Sequence, residues 1–165
     1  MDLRRFWRHV LMSPMRATRS FPPATLEAIQ REISAHEKLH RGEVCFVVEA
    51  ELETPQLWAG LASRDRAREV FAHQGVWNTE ENNGVLIYVL LADHKVEIVA
   101  DRGIDASVGP EGWARIVADI DRFFSEGRFE EGAIAGVRAV SDLLAAHFPA
   151  RGAGANELPD RPVMM

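Results

Sequence analysis

The sequence predicts a single-domain α/β fold built around a mixed β-sheet. Two apolar runs, residues 44–48 and 85–91, are too short for helices and are typical of strands buried on both faces. Stripes of apolar residues at helical spacing lie between and after these runs. The interval 93–95 permits only a tight turn, so the strand at 96–100 should return antiparallel to the second run, whereas the first two strands are expected to be parallel.

Length and composition limit the class of protein. A chain of 165 residues suits one domain, and 47% hydrophobic with 27% charged residues is typical of a globular chain, which excludes wholesale disorder. A net charge of -6 disfavours binding to nucleic acid phosphates. The single cysteine, Cys45, excludes an internal disulfide framework and a thiolate-rich metal site.

The first segment, residues 1–20, is basic and amphipathic. It contains five arginines and one aspartate, and its apolar residues recur at helical spacing. No apolar run is long enough for a signal-peptide core or a membrane span, so we expect a cytoplasmic protein. Two interpretations remain open: weak contact with an anionic membrane surface, or docking of the apolar stripe on the protein itself, which we favour.

Four core helices are expected between residues 21 and 148. The first follows Pro22 and ends at Gly42, and the second follows Pro55 and ends near Gly75. The third covers residues 113–124 and the fourth 129–144, where Gly132 and Gly136 would allow close helix approach. Residues 149–165 have little apolar content and are predicted to form a mobile tail.

One short motif, His36-Glu37-Lys38-Leu39-His40, matches the H-E-x-x-H pattern of zinc peptidases. On a helix the two imidazoles would share a face and could bind zinc. The extended pattern requires a glycine and a third histidine, but Glu43 and Phe46 stand at those positions. We therefore expect no zinc and keep the peptidase only as a disfavoured alternative.

The predicted topology collects polar residues at both ends of the sheet. One end would hold Glu49, Glu51, Asp93 and His94, mostly beside a tight turn. The other end would hold the loop 77–83 and these further residues: Glu43, Asp101 and Arg102. We favour the second end, because oxygen donors from Glu43, Asn82, Asn83 and Asp101 suit Ca²⁺ or Mg²⁺, and Arg102 suits a phosphate or carboxylate. A solvated loop without a ligand is the alternative.

A set of motifs resembles the TPM domain family. The run Asn82-Asn83-Gly84-Val85-Leu86-Ile87-Tyr88-Val89-Leu90 is followed by Lys95-Val96-Glu97-Ile98 and then Gly103-Ile104. Three shorter pieces resemble the small bacterial members that have no separate membrane anchor: His40-Arg41-Gly42-Glu43, Trp77-Asn78-Thr79-Glu80 and Ala100-Asp101-Arg102-Gly103. The resemblance extends over residues 21–148.

The resemblance implies an α/β sandwich with helices on both faces of a small sheet. It also implies an acidic divalent-metal pocket, as in several relatives, and acid phosphatase activity, as reported for a plant one. Asn82 stands where the family has an aspartate, and Ser20-Phe21-Pro22-Pro23 replaces the paired acids that many relatives place before the first helix. These departures favour a binding module over a metal-dependent, phosphatase-like hydrolase, which is the alternative.

We therefore predict a TPM-like binding module with a divalent-ion pocket, whose cofactor would be Ca²⁺ or Mg²⁺. The predicted metal ligands are Glu43, Asn82, Asn83 and Asp101, and the predicted ligand-binding residues are His40, Trp77 and Arg102. The expected partner is a protein or a small molecule of unidentified chemistry, with weak membrane-surface contact through the N-terminus as a further option.

Overall fold

A computed structural model describes residues 3–151 and 156–165 of the chain. In this part four strands form one sheet: β1 (Glu43–Glu49), β2 (Gly84–Leu90), β3 (Lys95–Ala100) and β4 (Val163–Met164). Their spatial order is β3-β2-β1-β4. β1 is parallel to β2 and to β4, and β2 is antiparallel to β3, so the predicted mixed sheet is confirmed.

Helices cover both faces of this sheet, as predicted. In chain order, the helices of the described residues are α1 (Leu3–Val10), α2 (Pro14–Ser20), α3 (Pro23–His36), α4 (Thr54–Trp58), α5 (Ser63–His73), α6 (Arg102–Ser125) and α7 (Phe129–His147). Alternate residues of the central strands supply the two cores. Val44 and Phe46 of β1 pack with α3, α6 and α7, whereas Cys45 and Val47 pack on the opposite face with α4 and α5.

Three helix boundaries differ from the predicted ones. α3 ends at His36 instead of Gly42, because the chain turns there so that Arg41 can donate its N–H to the carbonyl of Phe148, after α7. The expected single helix after Pro55 is divided into α4 and α5 at Gly60, whose left-handed φ of 70° ends the first piece. α6 begins at Arg102, well before the predicted start, and is kinked at Gly109.

The C-terminal residues correct the prediction of a mobile tail. Val163 and Met164 pair with Val47 and Val48, and the N–H of Met165 donates to Val48 O at 2.8 Å. This pairing covers the edge of β1, which would otherwise present unpaired backbone groups. Residues 152–155 of the predicted tail lie outside the described residues.

The N-terminal helix lies on the domain through Phe6 and the polar side chains of Arg5 and His9. His9 is 1% exposed, while four apolar residues expected to dock remain in solvent: Leu3, Trp7, Val10 and Leu11. The helix therefore docks on the domain as expected, but of the predicted apolar stripe it is Phe6 that packs there. None of the helices in the described ranges is long and apolar enough to cross a membrane.

Replacing Gly84 tests the close packing of β2 against the backbone of Val76. A Cβ atom at this residue would overlap the carbonyl oxygen of Val76, which belongs to the backbone and has little freedom to move. We expect Gly84→Ala to lower the free energy of unfolding by about 1–3 kcal/mol in urea denaturation. As a control, Gly60→Asn replaces a glycine with open space around it by a residue that tolerates the left-handed conformation, and should be nearly neutral. Equal stability of both variants would contradict this packing.

Candidate functional site

At the carboxyl end of β1 and β2, arginines neutralise the carboxylates. Glu49 is buried, and Arg66 binds both of its oxygens, with Nη2 2.8 Å from Oε1 and Nε 3.0 Å from Oε2. The hydroxyl of Tyr88 also donates to Glu49. A carboxylate with this many donors has little remaining capacity for a ligand.

Asp93, which follows β2, anchors the N-terminal helix. Arg5 donates to both of its oxygens, the shortest contact being 2.7 Å from Nη2, and Arg8 lies 3.2 Å from Oδ1. His9 Nδ1 accepts the N–H of Leu52, so its Nε2 carries the proton that faces Asp93 Oδ1 at 3.1 Å. Burial raises the pKa of Asp93, but the hydrogen bonds from Arg5 and His9 outweigh it and hold the pKa below its usual value.

The opposite end of the sheet contains a cavity of about 260 Å³ that we call the acidic pocket. Three chain segments form it: the turn between α3 and β1, the loop before β2, and the C-terminal residues. Its lining residues are Glu37, His40, Arg41, Gly42, Glu43, Glu80, Glu81, Asn156 and Glu157. Carboxylates therefore outnumber cationic groups in the lining.

Glu43 is the most enclosed carboxylate of the acidic pocket. It opens β1, is 5% exposed, and accepts the N–H of Glu157 at 2.9 Å. Burial raises its pKa, and the nearby charges of Glu157 and Asp160 raise it further, despite the backbone hydrogen bonds that favour its ionised form. The structure thus holds Glu43 close to other acids with no arginine or lysine of the described residues bonded to it.

Glu37, which lines the acidic pocket, is hydrogen-bonded to a second acid, Asp160. Burial and the hydrogen bond with Asp160 raise the pKa of Glu37 to about 8, so Glu37 is mostly protonated at neutral pH and donates to Asp160. Ser34 and Asn156 also donate to Asp160, with Asn156 Nδ2 2.6 Å from Oδ1. The pair connects the turn after α3 to the C-terminal segment.

His40 places an unpaired nitrogen at the acidic pocket. The residue is 4% exposed, and its Nδ1 lies 2.9 Å from Gly42 O. Burial lowers the pKa of His40, which favours a neutral ring whose Nδ1–H donates to that carbonyl. Its Nε2 then has a free lone pair, and the described residues provide no partner for it.

The remaining predicted site residues lie at the same end of the sheet but do not line the acidic pocket. Asn83 Nδ2 donates to Arg41 O at 3.0 Å, while its buried Oδ1 has no partner among the described residues. Asp101 caps α6, and Arg102 Nε contacts Asn82 Oδ1 at 3.3 Å. Trp77 is 55% exposed, and its indole donates to Ala72 O. The structure therefore separates the predicted set into two neighbouring groups.

The pocket residues absent from the predicted set come from three segments: the turn after α3, the loop before β2 and the C-terminal residues. Glu37 and Arg41 lie in the turn on either side of the predicted His40. Glu157 and Asp160 lie in the predicted tail, where nothing in the sequence indicated that they would fold back. Glu80 and Glu81 lie in the loop 77–83, which the predicted topology puts at the same end of the sheet as Glu43. Their proximity to Glu43 could therefore have been predicted from the sequence.

With this geometry in place, the chain can be compared with known proteins. Residues 16–143 match the sequence profile of the TPM domain. The chain belongs to the TPM domain family. None of the curated proteins compared with it matches.

Two solved structures resemble this TPM domain. The NMR structure of the BA42 protein from the psychrophilic bacterium Bizionia argentinensis has 30% sequence identity and a TM-score of 0.74, covering 86% of this chain and 93% of that chain. The N-terminal domain of a protein from P. gingivalis has 23% identity and a TM-score of 0.62, covering 81% and 86%, and this likeness concerns the fold.

The zinc motif does not form a helical pair of ligands in this TPM domain. α3 ends at His36, and His40 lies beyond the turn, so the imidazoles do not share a helix face. His36 Nδ1 contacts Glu32 O at 2.9 Å instead. Within residues 3–151 and 156–165, no group of three or more His, Cys, Asp or Glu side chains is arranged to hold a metal ion.

Replacing Asp93 tests whether its ion pairs hold α1 in place. Asp93→Asn should lower the free energy of unfolding by about 2–3 kcal/mol, because Arg5 keeps its charge at a largely buried position without a counter-charge. Urea denaturation measures the loss. The control is Asp119→Asn, which breaks an exposed pair with Arg122 and should cost less than about 1 kcal/mol. Similar losses in both variants would contradict an anchoring role.

The Glu37 and Asp160 pair should make stability depend on pH. The folded pKa of Glu37 is about 8, above its ordinary value of 4.5, so its contribution is fully present below pH 4.5 and is lost as the pH rises through 8. Glu37→Gln retains a donor to Asp160 but does not titrate. We expect the melting temperature of the unsubstituted protein to fall more between pH 6 and 9 than that of the variant. If the melting temperatures of the two proteins change by the same amount between pH 6 and 9, the raised pKa of Glu37 is refuted.

Proposed function

We propose that this TPM domain is a binding module that takes a divalent cation in the acidic pocket, with Mg²⁺ or Ca²⁺ as the ion. The observation that carries the proposal is the unpaired Nε2 of the buried, neutral His40 beside the buried carboxylate of Glu43. Burial raises the pKa of Glu43, and the charges of Glu157 and Asp160 raise it further, so a cation beside Glu43 would offset both effects.

A hydrated ion suits this set of donors. Mg²⁺ retains several waters and commonly binds proteins through one or two carboxylates. Glu43 would supply a carboxylate oxygen, and the Nε2 lone pair of His40 would accept a hydrogen bond from a water of the ion. Such binding requires fewer protein ligands than a closed metal site. Ca²⁺ would draw on more oxygen donors, and Asn83 and Asp101, each with an unpaired buried oxygen, lie at the same end of the sheet.

A metal-dependent, phosphatase-like hydrolase is the second candidate. The neutral His40 favours it, since an unpaired imidazole nitrogen can accept a proton from an attacking water. The charge of the pocket opposes it, because a phosphate ester would meet Glu43 and Glu80, while the guanidinium of Arg41 is bonded to Glu81. We therefore place cation binding first.

Cation binding is tested by thermal unfolding in Mg²⁺ or Ca²⁺ against Na⁺ at equal ionic strength. A cation that binds only the folded protein stabilises it by about 3 kcal/mol at a concentration one hundred times its Kd. Glu43→Gln should abolish the shift, because it removes the buried charge but keeps an acceptor for Glu157 N–H. Glu69→Gln, at an exposed residue outside the acidic pocket, is the control and should retain the shift.

Two further variants locate the ion. His40→Gln should weaken the shift in Mg²⁺, and Asp101→Asn should leave that shift in place, because Asp101 does not line the acidic pocket. Loss of the shift in Asp101→Asn with retention in Glu43→Gln would instead place the ion at the turn before α6. No shift with either cation would refute the binding proposal.

A further inference from the structure

A second cavity lies at the other end of the sheet, away from the acidic pocket. It has a volume of about 1070 Å³ and lies between the α1 and α2 segments and the end of β2. Clefts of about 300–1,000 Å³ hold drug-sized ligands. Open α/β sheets bind ligands beyond the carboxyl ends of their parallel strands, and β2 ends at this cavity.

The floor of this cavity is apolar. Val89 and Leu91 belong to the main core and reach the cavity from β2 and its end, and Phe124 and Phe129 reach it from the junction of α6 and α7. Leu11, which is 65% exposed, lines it from the end of α1. Trp7 of α1 is also exposed and lines the cavity, so two of the undocked apolar side chains lie next to its apolar floor.

The mouth of the cavity is basic on a protein that is acidic overall. Arg16 and Arg19 line it from α2, and both are exposed. Neither guanidinium has an ion-pair partner among the described residues. Lys95 at the start of β3 adds a further cation, and it interacts electrostatically with Asp121 of α6, which also lines the cavity. The net charge of the chain is -6, so the positive charge at the mouth of the cavity is opposite in sign to the net charge of the protein.

An apolar floor beneath a cationic mouth fits one class of ligand. From this arrangement we infer that the cavity binds a single-chain anionic amphiphile, an alkyl carboxylate of the fatty-acid type. Its hydrocarbon chain would lie against Val89, Leu91 and Phe124, where burial of apolar surface is favourable. Its carboxylate would lie at Arg16 and Arg19, because a guanidinium can bind a carboxylate through two parallel hydrogen bonds. The site is independent of the cation proposed for the acidic pocket.

Binding is tested by calorimetric titration with laurate below its micelle concentration. Laurate should bind the unsubstituted protein and raise its melting temperature. Lauryl alcohol has the same chain without the charge and should bind at least about tenfold more weakly, whereas acetate, which has the charge without the chain, should not bind measurably. Equal affinity for laurate and lauryl alcohol would overturn the role of the basic mouth.

Two matched double variants test the residues. Arg16→Gln with Arg19→Gln should weaken laurate binding at least about tenfold. Arg31→Gln with Arg115→Gln removes two exposed arginines that do not line the cavity, and should leave the affinity unchanged. Leu11→Ser changes an exposed lining residue and should weaken laurate and lauryl alcohol alike. Equal laurate affinity in both double variants would overturn the site.

A membrane surface is the other anionic partner that these residues could meet, and vesicles separate the two. Co-sedimentation with anionic phospholipid vesicles, in the absence of any affinity for monomeric laurate, would overturn the cavity proposal in favour of surface contact. Laurate binding that is lost in the Arg16 and Arg19 double variant supports it, whether or not the protein also sediments with vesicles.

Discussion

The parallel pairing of β1 with β2 is the constraint on which the rest of this TPM domain depends. Every residue of both strands is buried, so neither face of the pair can contact water. The helices must therefore cover both faces, and polar residues are displaced to the strand ends. Two groups of carboxylates result, one at each end of the sheet, and their surroundings differ.

The difference lies in the cations that each group meets. Glu49 and Asp93 are bound by arginines from α5 and α1, so their charge joins helices to the sheet. Glu43 has backbone donors but no cationic partner in the described residues, and Glu37 is held against another acid. Acids paired with arginine stabilise the fold, whereas acids left with raised pKa values are common where a protein binds a ligand or performs chemistry.

The strands and their directions could be predicted because each depends on a local pattern. The runs at 44–48 and 85–91 identify buried strands, and the short turn at 93–95 fixes the direction of β3. The helix ends depended on distant contacts. α3 ends at His36, and the turn that follows it lets Arg41 bond the backbone after α7, which is far away in sequence. Glu43 and His40 could likewise be identified, because they lie in a recognisable motif. Glu157 and Asp160 could not, because the strand that holds their segment against β1 has two residues and is too short to show a periodic hydrophobic pattern.

The docking of the C-terminal segment links the sheet edge to the acidic pocket. Residues 163–164 pair with β1, and a few residues earlier Glu157 and Asp160 face Glu43 and Glu37. The repulsion of ionised Glu43 by Glu157 and Asp160 opposes the same docking that the backbone pairing favours. By reciprocity, anything that reduces the negative charge of the pocket strengthens the attachment of the last ten residues, and anything that detaches them removes one wall of the pocket. The attachment of the C-terminal segment and the charge state of the acidic pocket are therefore coupled.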